Sequence, residues 1–183
     1  MPFGRRLSLS RTSVKKELTV SPFMPGSPIP VHYTLYKLTN KYIYIPRYFN
    51  NDGELILNDV KEVDIKINSE PREYQKIAIN EIHQELLKNG SCIACLYTGW
   101  GKTFASLYIA SLLGVKTIIL VNKESLMQQW KEQIEKFLNI CPGIIQGKNT
   151  ETSENICIGM IQSISMKDYS QDIFKDFSFA IYD

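Results

Sequence analysis

Leu96-Tyr97-Thr98-Gly99-Trp100-Gly101-Lys102-Thr103 is the stretch on which the fold turns. An apolar run, Cys92-Ile93-Ala94-Cys95, leads into it as a strand, and a helical pattern from Lys102 to Leu113 leads out and closes at Gly114. Glycines at 99 and 101 let the backbone curl until successive N–H groups point inward at an anion. The helix that follows aims its N-terminal dipole at the same place. In such a loop Lys102 reaches the β- and γ-phosphates of a nucleotide, and the Thr103 hydroxyl takes Mg²⁺. The strict G-x-x-x-x-G-K-[ST] spacing fails at its first position, Leu96, while the strand–loop–helix context stands on both sides. A glycine turn with a coincidental Lys-Thr pair is the plainer alternative.

Outward from the loop, strand and helix patterns alternate. A helix is expected from Arg72 to Lys88, stopped by Asn89-Gly90. Lys116 to Val121 is a continuous apolar strand of the kind buried in parallel sheets. The helix Glu124 to Leu138 carries Leu126, Met127, Trp130, Ile134, Phe137 and Leu138 on one face. Short strands near Ile156-Cys157-Ile158 and Phe179-Ala180-Ile181 bracket a helix around Ile161 to Met166. This alternation predicts an α/β fold, a parallel sheet with helices on both faces, over residues 69–183. Before it, residues 31–68 read as a small β-rich domain with a turn at Thr39-Asn40-Lys41 and another at Asn50-Asn51-Asp52-Gly53. Residues 1–30 read as a flexible basic tail ending in a proline-rich run.

Bulk composition narrows the function classes. The chain has 183 residues, 44% hydrophobic and 22% charged, which suits a globular protein with a buried core. No apolar run approaches bilayer length, and the basic tail has no secretory apolar stretch, so cytoplasmic placement is expected. The formal net charge of +2 is unevenly spread: Arg5, Arg6, Arg11, Lys15 and Lys16 face only Glu17 in the first twenty residues. That tail reads as a leader touching phosphates non-specifically, with an organellar transit peptide as the alternative. The four cysteines make no disulfide scaffold. Cys92 and Cys95 share a C-x-x-C spacing, but in a strand they face opposite sides, so all four read as buried small hydrophobes.

Several segments, in order, resemble superfamily 2 helicases of the D-E-x-H type. Leu96 to Thr103 resembles motif I, L-P-T-G-x-G-K-T, with Tyr97 in place of Pro and Trp100 at the variable position. Pro71-Arg72-Glu73-Tyr74-Gln75 resembles the L-R-P-Y-Q element ahead of it, which implies that Gln75 bonds the adenine edge. Alone, that pentapeptide also fits a solvated helix start. Val121-Asn122-Lys123 through Gln129-Trp130 resembles motif Ia, whose helix start would donate N–H groups to nucleic-acid phosphates; an ordinary amphipathic helix with Trp130 in the core is the other reading. Ile156 to Ser163 resembles a segment in which Gln162 and Ser163 face the strand, and Gly143 to Gly147 sits where the family has a short strand ending in glycine. Ala180-Ile181-Tyr182-Asp183 resembles the approach to D-E-x-H, which implies that Asp183 holds Mg²⁺ through its hydration shell.

Lys41-Tyr42-Ile43-Tyr44-Ile45-Pro46-Arg47-Tyr48-Phe49 resembles a segment of helicases from large cytoplasmic DNA viruses, the poxvirus transcript-release helicase among them. There Arg47 would touch phosphate; alternatively Pro46-Arg47 only fixes the exit from an edge strand. Taken together, the resemblance implies the N-terminal part of an ATP-dependent helicase or translocase, its RecA-like domain cut at the D-E-x-H motif. Lys102 and Asp183 would be catalytic. Arg72, Gln75, Thr98, Gly99, Trp100, Gly101, Lys102 and Thr103 would hold ATP, and Thr103 and Asp183 its Mg²⁺. Asn122, Lys123, Gln162, Ser163 and Arg47 would meet DNA or RNA. Transcription machinery is an implied partner, the host cytoplasm or virion the implied place, and no membrane is involved. The competing classes are a nucleic-acid-binding module with a vestigial ATP site and a non-motor P-loop kinase.

Overall fold

The computed structural model describes residues 5–9, 12–22, 32–46, 49, 54–55 and 60–183, and the chain divides into two compact units, Met1–Asp59 and Val60–Asp183. The first unit holds β1 (Arg5–Ser8), α1 (Thr12–Glu17), β2 (Thr19–Val20), β3 (Tyr33–Thr34), β4 (Lys37–Leu38), β5 (Tyr42–Ile45) and β6 (Glu54–Leu55). Its main sheet has the order β4-β5-β1-β6, with β1 antiparallel to β5 so that Leu7 pairs with Ile43. Residues 5–20 therefore depart from the expected tail. Beneath their basic composition, Leu7 and the helical i, i+4 pair Val14 and Leu18 form an apolar set, and it is buried with Ile43 and Ile45. The proline-rich run and Arg47-Tyr48 lie outside the described residues.

The second unit comprises α2 (Glu73–Asn89), α3 (Lys102–Leu113), β7 (Thr117–Val121), α4 (Glu124–Leu138), β8 (Gly143–Gln146), β9 (Asn149–Thr150), β10 (Ile156–Met160), α5 (Ile161–Met166), a 3₁₀ turn (Gln171–Phe174) and β11 (Phe179–Tyr182). Its sheet runs β11-β7-β10-β8-β9, with every pair parallel except the β8–β9 hairpin. This is the expected RecA-like α/β arrangement, with one antiparallel strand added at the edge. Residues 60–68 belong here and not to the β-rich unit. Ile65 is buried in this core, Glu62 bridges to Val115, and the Asn68 amide donates to the Phe137 carbonyl at 2.9 Å.

Alternation along β7 assigns its faces. Ile119 and Val121 point to a core shared with Leu107 of α3, Met127, Trp130, Ile134 and Leu138 of α4, and Ile156 and Ile158 of β10. On the opposite face, a side chain at Gly159 would meet Ile164 of α5 at 2.7 Å and Leu120 at 3.3 Å, so that glycine lets α5 lie down on the sheet. One expected element does not form. Ser91 to Leu96 has no strand partner, and Ile93 is 97% exposed. The β-prone residues are there, but β11 pairs only with β7, and an unpaired segment has no ladder to make it a strand.

All three helices around the loop end on left-handed residues, Gly90 closing α2, Gly114 closing α3 and Asn139 closing α4. Truncating the central strand tests where stability resides. Ile119→Ala, at a fully buried position, is expected to cost about 2–5 kcal/mol, read as a lower urea midpoint with an unchanged slope.

Candidate functional site

The loop between Leu96 and Lys102 is shaped by two glycines with positive φ, +82° at Gly99 and +99° at Gly101, conformations that L-residues with a Cβ resist. Gly101 is also the residue before the first turn of α3, so the first free N–H groups of that helix open onto the loop. Lys102 is exposed, and its ammonium donates to the carbonyls of Leu96 at 3.2 Å and Tyr97 at 3.1 Å. Thr103 stands next in the helix, half-buried, its hydroxyl without a hydrogen bond.

Gln75 fastens the loop to α2. It is 4% exposed, its Oε1 accepts from the Arg72 amide at 3.0 Å, and its Nε2 donates to the Trp100 carbonyl at 3.0 Å. Both ends of the side-chain amide are thus engaged within the chain, one as a helix cap and one as a strut to the loop. Tyr74 adds a second tie, its hydroxyl donating to the same carbonyl at 3.3 Å while its ring meets the Trp100 indole edge-on at 6.0 Å. Trp100 is buried with Ile79, Ala105 and Ile109, so the bulky residue at the variable position anchors the loop from beneath. Its amide is turned back to the Tyr97 carbonyl at 3.3 Å.

A cleft of about 440 Å³ opens beside the loop. Of the residues the sequence singled out, Arg72, Gln75, Gly99, Trp100, Gly101 and Thr103 line it, whereas Thr98, Lys102 and Asp183 do not. Sequence reading missed its opposite wall: Phe104 of α3 and Gln129, Gln133 and Phe137 of α4. The signal was available in the i, i+4 spacing of Gln129, Gln133 and Phe137, which puts all three on one helix face. Phe104 and Phe137 meet edge-to-face with centroids 4.9 Å apart, giving the cleft an aromatic floor between polar walls.

Asp183 continues the parallel ladder beyond β11, its amide donating to the Leu120 carbonyl at 3.0 Å. Its carboxylate accepts from the indole N–H of Trp130 at 2.8 Å. At the ends of the two strands beyond β11, Gln162 donates to the Asn122 carbonyl at 2.7 Å, so the starts of α4 and α5 are hydrogen-bonded together. Lys123, which precedes α4, is exposed. The Ser163 hydroxyl does not face outward as a free group; it accepts from the Gly147 amide at 3.0 Å, and Tyr169 donates to the Gly147 carbonyl at 2.9 Å.

The cysteines do not all behave as buried small hydrophobes. Cys157 is buried in β10, but Cys92 is half-buried and Cys95 exposed, because Ser91 to Leu96 never enters the sheet, and Cys141 is exposed in the connection between α4 and β8. Burial pushes the Cys157 thiol up to about 11, the charged thiolate being poorly solvated there. Among the described residues no three His, Cys, Asp or Glu side chains gather to hold a metal ion, and no helix is long and apolar enough to cross a membrane.

Residues 68–183 match the family model described as type III restriction enzyme, res subunit. The chain is similar to the mimivirus protein named "Putative ATP-dependent RNA helicase L396", with 29% identity over 183 residues, 93% of this chain and 35% of that protein. It is similar to "Putative helicase 161L" of Invertebrate iridescent virus 6, 33% identical over 155 residues, 83% of this chain and 32% of that one. Over 114 residues it is 37% identical to "DNA 3'-5' translocase XPB2" of Sulfurisphaera tokodaii, 60% of this chain and 25% of that one. The chain thus spans about a third of the length of these two viral relatives.

Two measurements follow from the loop and the thiols. At Gly101 a Cβ would stand 2.6 Å from the Gln75 Nε2 and force a left-handed φ on alanine. Gly101→Ala is therefore expected to cost about 1–3 kcal/mol of stability and to weaken nucleotide binding, by thermal melting and titration. With its proton held until the pH nears 11, Cys157 is expected to resist a thiol reagent at pH 8 in the folded chain, while Cys95 and Cys141 react at once. Rapid labelling of all four would contradict the assigned burial.

Proposed function

The chain belongs to the family of the type III restriction enzyme res subunit, and from that premise we propose that it forms the nucleotide-binding motor domain of an ATP-dependent nucleic-acid helicase or translocase, with a small β-rich domain ahead of it. One arrangement carries the reading. A loop with two left-handed glycines opens the N-terminus of α3, and Asp183 follows β11 at the end of the parallel sheet. Ligands of open α/β sheets bind where strands end in this way.

In this reading the adenosine part enters the cleft between the Arg72–Gln75 segment and the Gln129–Gln133 face of α4, against Phe104 and Phe137. The free amides at the start of α3 and the Lys102 ammonium hold the phosphates. Thr103 and Asp183 fit a magnesium ion, because hard oxygen donors in small number suit a cation that keeps most of its waters. ATP bound as its magnesium complex supplies the phosphoanhydride whose hydrolysis drives movement. Asn122, Lys123 and Gln162, at the starts of α4 and α5, track the backbone of a strand, and Ser163 steadies the turn at Gly147. Contacts of that type read few bases, so the substrate class is a DNA or RNA strand. Arg47 contributes phosphate contact from the first unit.

Removing the Lys102 ammonium tests the reading. Lys102→Ala is expected to weaken ATP binding to this chain roughly tenfold or more, equivalent to about 1.4 kcal/mol or above, with the fold intact by circular dichroism. In the intact helicase the same change is expected to abolish strand-stimulated ATPase while strand binding persists. The isolated chain is expected to release almost no phosphate. Turnover by the chain alone at the rate of the intact protein, or unchanged ATPase in the Lys102→Ala protein, overturns the proposal.

A further inference from the structure

Trp130 does more than fill the core. Its ring is buried among Ile119, Val121 and Ile158, but its single polar atom is aimed out of that cluster at the Asp183 carboxylate, 2.8 Å away. Indole N–H is a donor only, and a buried donor without an acceptor is costly, so the side chain and the carboxylate fix each other's orientation. The anchor is stiff on both sides. Trp130 is locked by packing on α4, and the backbone of Asp183 is held in the parallel ladder by its bond to the Leu120 carbonyl. With Oδ2 engaged by the indole, Oδ1 has no partner among the described residues.

We propose that Trp130 is a positioning residue for the nucleotide-bound magnesium ion: it holds Asp183 in the one rotamer that leaves Oδ1 free for the ion's hydration shell. The inference rests on the reading of Asp183 as the magnesium-side carboxylate. A donor that orients a metal-binding carboxylate is worth about tenfold or more in metal affinity, far beyond what its packing would predict for the metal.

The test uses the 183-residue chain, a fluorescent ATP analogue and MgCl₂, with nitrogen-15 NMR of the two indole N–H groups, Trp100 and Trp130. Trp130→Phe keeps an aromatic ring and removes the donor. It is expected to leave nucleotide affinity in EDTA within about twofold and to raise the magnesium concentration for half-maximal tightening about tenfold. Asp183→Ala is expected to match that magnesium effect and to shift the Trp130 indole signal while the Trp100 signal stays in place. An unchanged magnesium dependence in Trp130→Phe, with Asp183→Ala defective, overturns the positioning role and leaves the reading of Asp183 standing. A normal magnesium dependence in Asp183→Ala sinks that reading itself. Should Trp130→Phe fail to fold, a Trp130 indole signal indifferent to loss of the carboxylate overturns the inference on its own.

Discussion

β7 is paired on both edges, to β10 on one side and β11 on the other, and both ladders are parallel. A strand buried on both faces must satisfy its amides and carbonyls by such pairing, because no water reaches it. Parallel registry then sends three strand ends the same way. Asn122 after β7, Gln162 after β10 and Asp183 after β11 are delivered to one edge of the sheet by backbone geometry alone. The side chains that would act chemically are therefore carried by elements whose own stability comes from Ile119, Val121, Ile156 and Ile158.

The loop depends on a different kind of support. Its glycines permit the curl but do not enforce it, since glycine has the most backbone freedom to lose. Order comes from outside: Gln75 and Tyr74 both donate to the Trp100 carbonyl, and the Trp100 ring is sunk in the α2–α3 interface. The loop is thereby tied to the start of the preceding helix. A change in the Arg72–Gln75 turn will be felt in the loop whether or not it touches a ligand.

Much of this was legible because it follows from local periodicity. The helices from 73, 102 and 124, with the stops of the first two at Gly90 and Gly114, follow from apolar spacing and glycine closers, while the left-handed Asn139 that ends the third shows only in the structure. What escaped depends on partners distant in the chain. Cys92 to Leu96 has the composition of a strand, yet strand formation is a property of a pair, and no ladder receives it. Residues 5–20 look like a basic leader until Ile43 and Ile45 provide a surface for Leu7, Val14 and Leu18. Gln129 and Gln133 read as solvent-facing until Phe104 is brought opposite Phe137 at the edge of the apolar stripe. No sequence motif says that an indole on α4 will meet a carboxylate 53 positions later.

The Lys102 contacts carry a thermodynamic consequence. Without ligand the ammonium already satisfies itself on the Leu96 and Tyr97 carbonyls. A phosphate bound as proposed would gain no free cation; it would compete with two backbone acceptors of the loop. In the proposed reading the affinity is the difference between those two sets of bonds, and the carbonyls given up turn to water. Occupancy of this loop is an exchange reaction, with the protein acting as its own competing ligand.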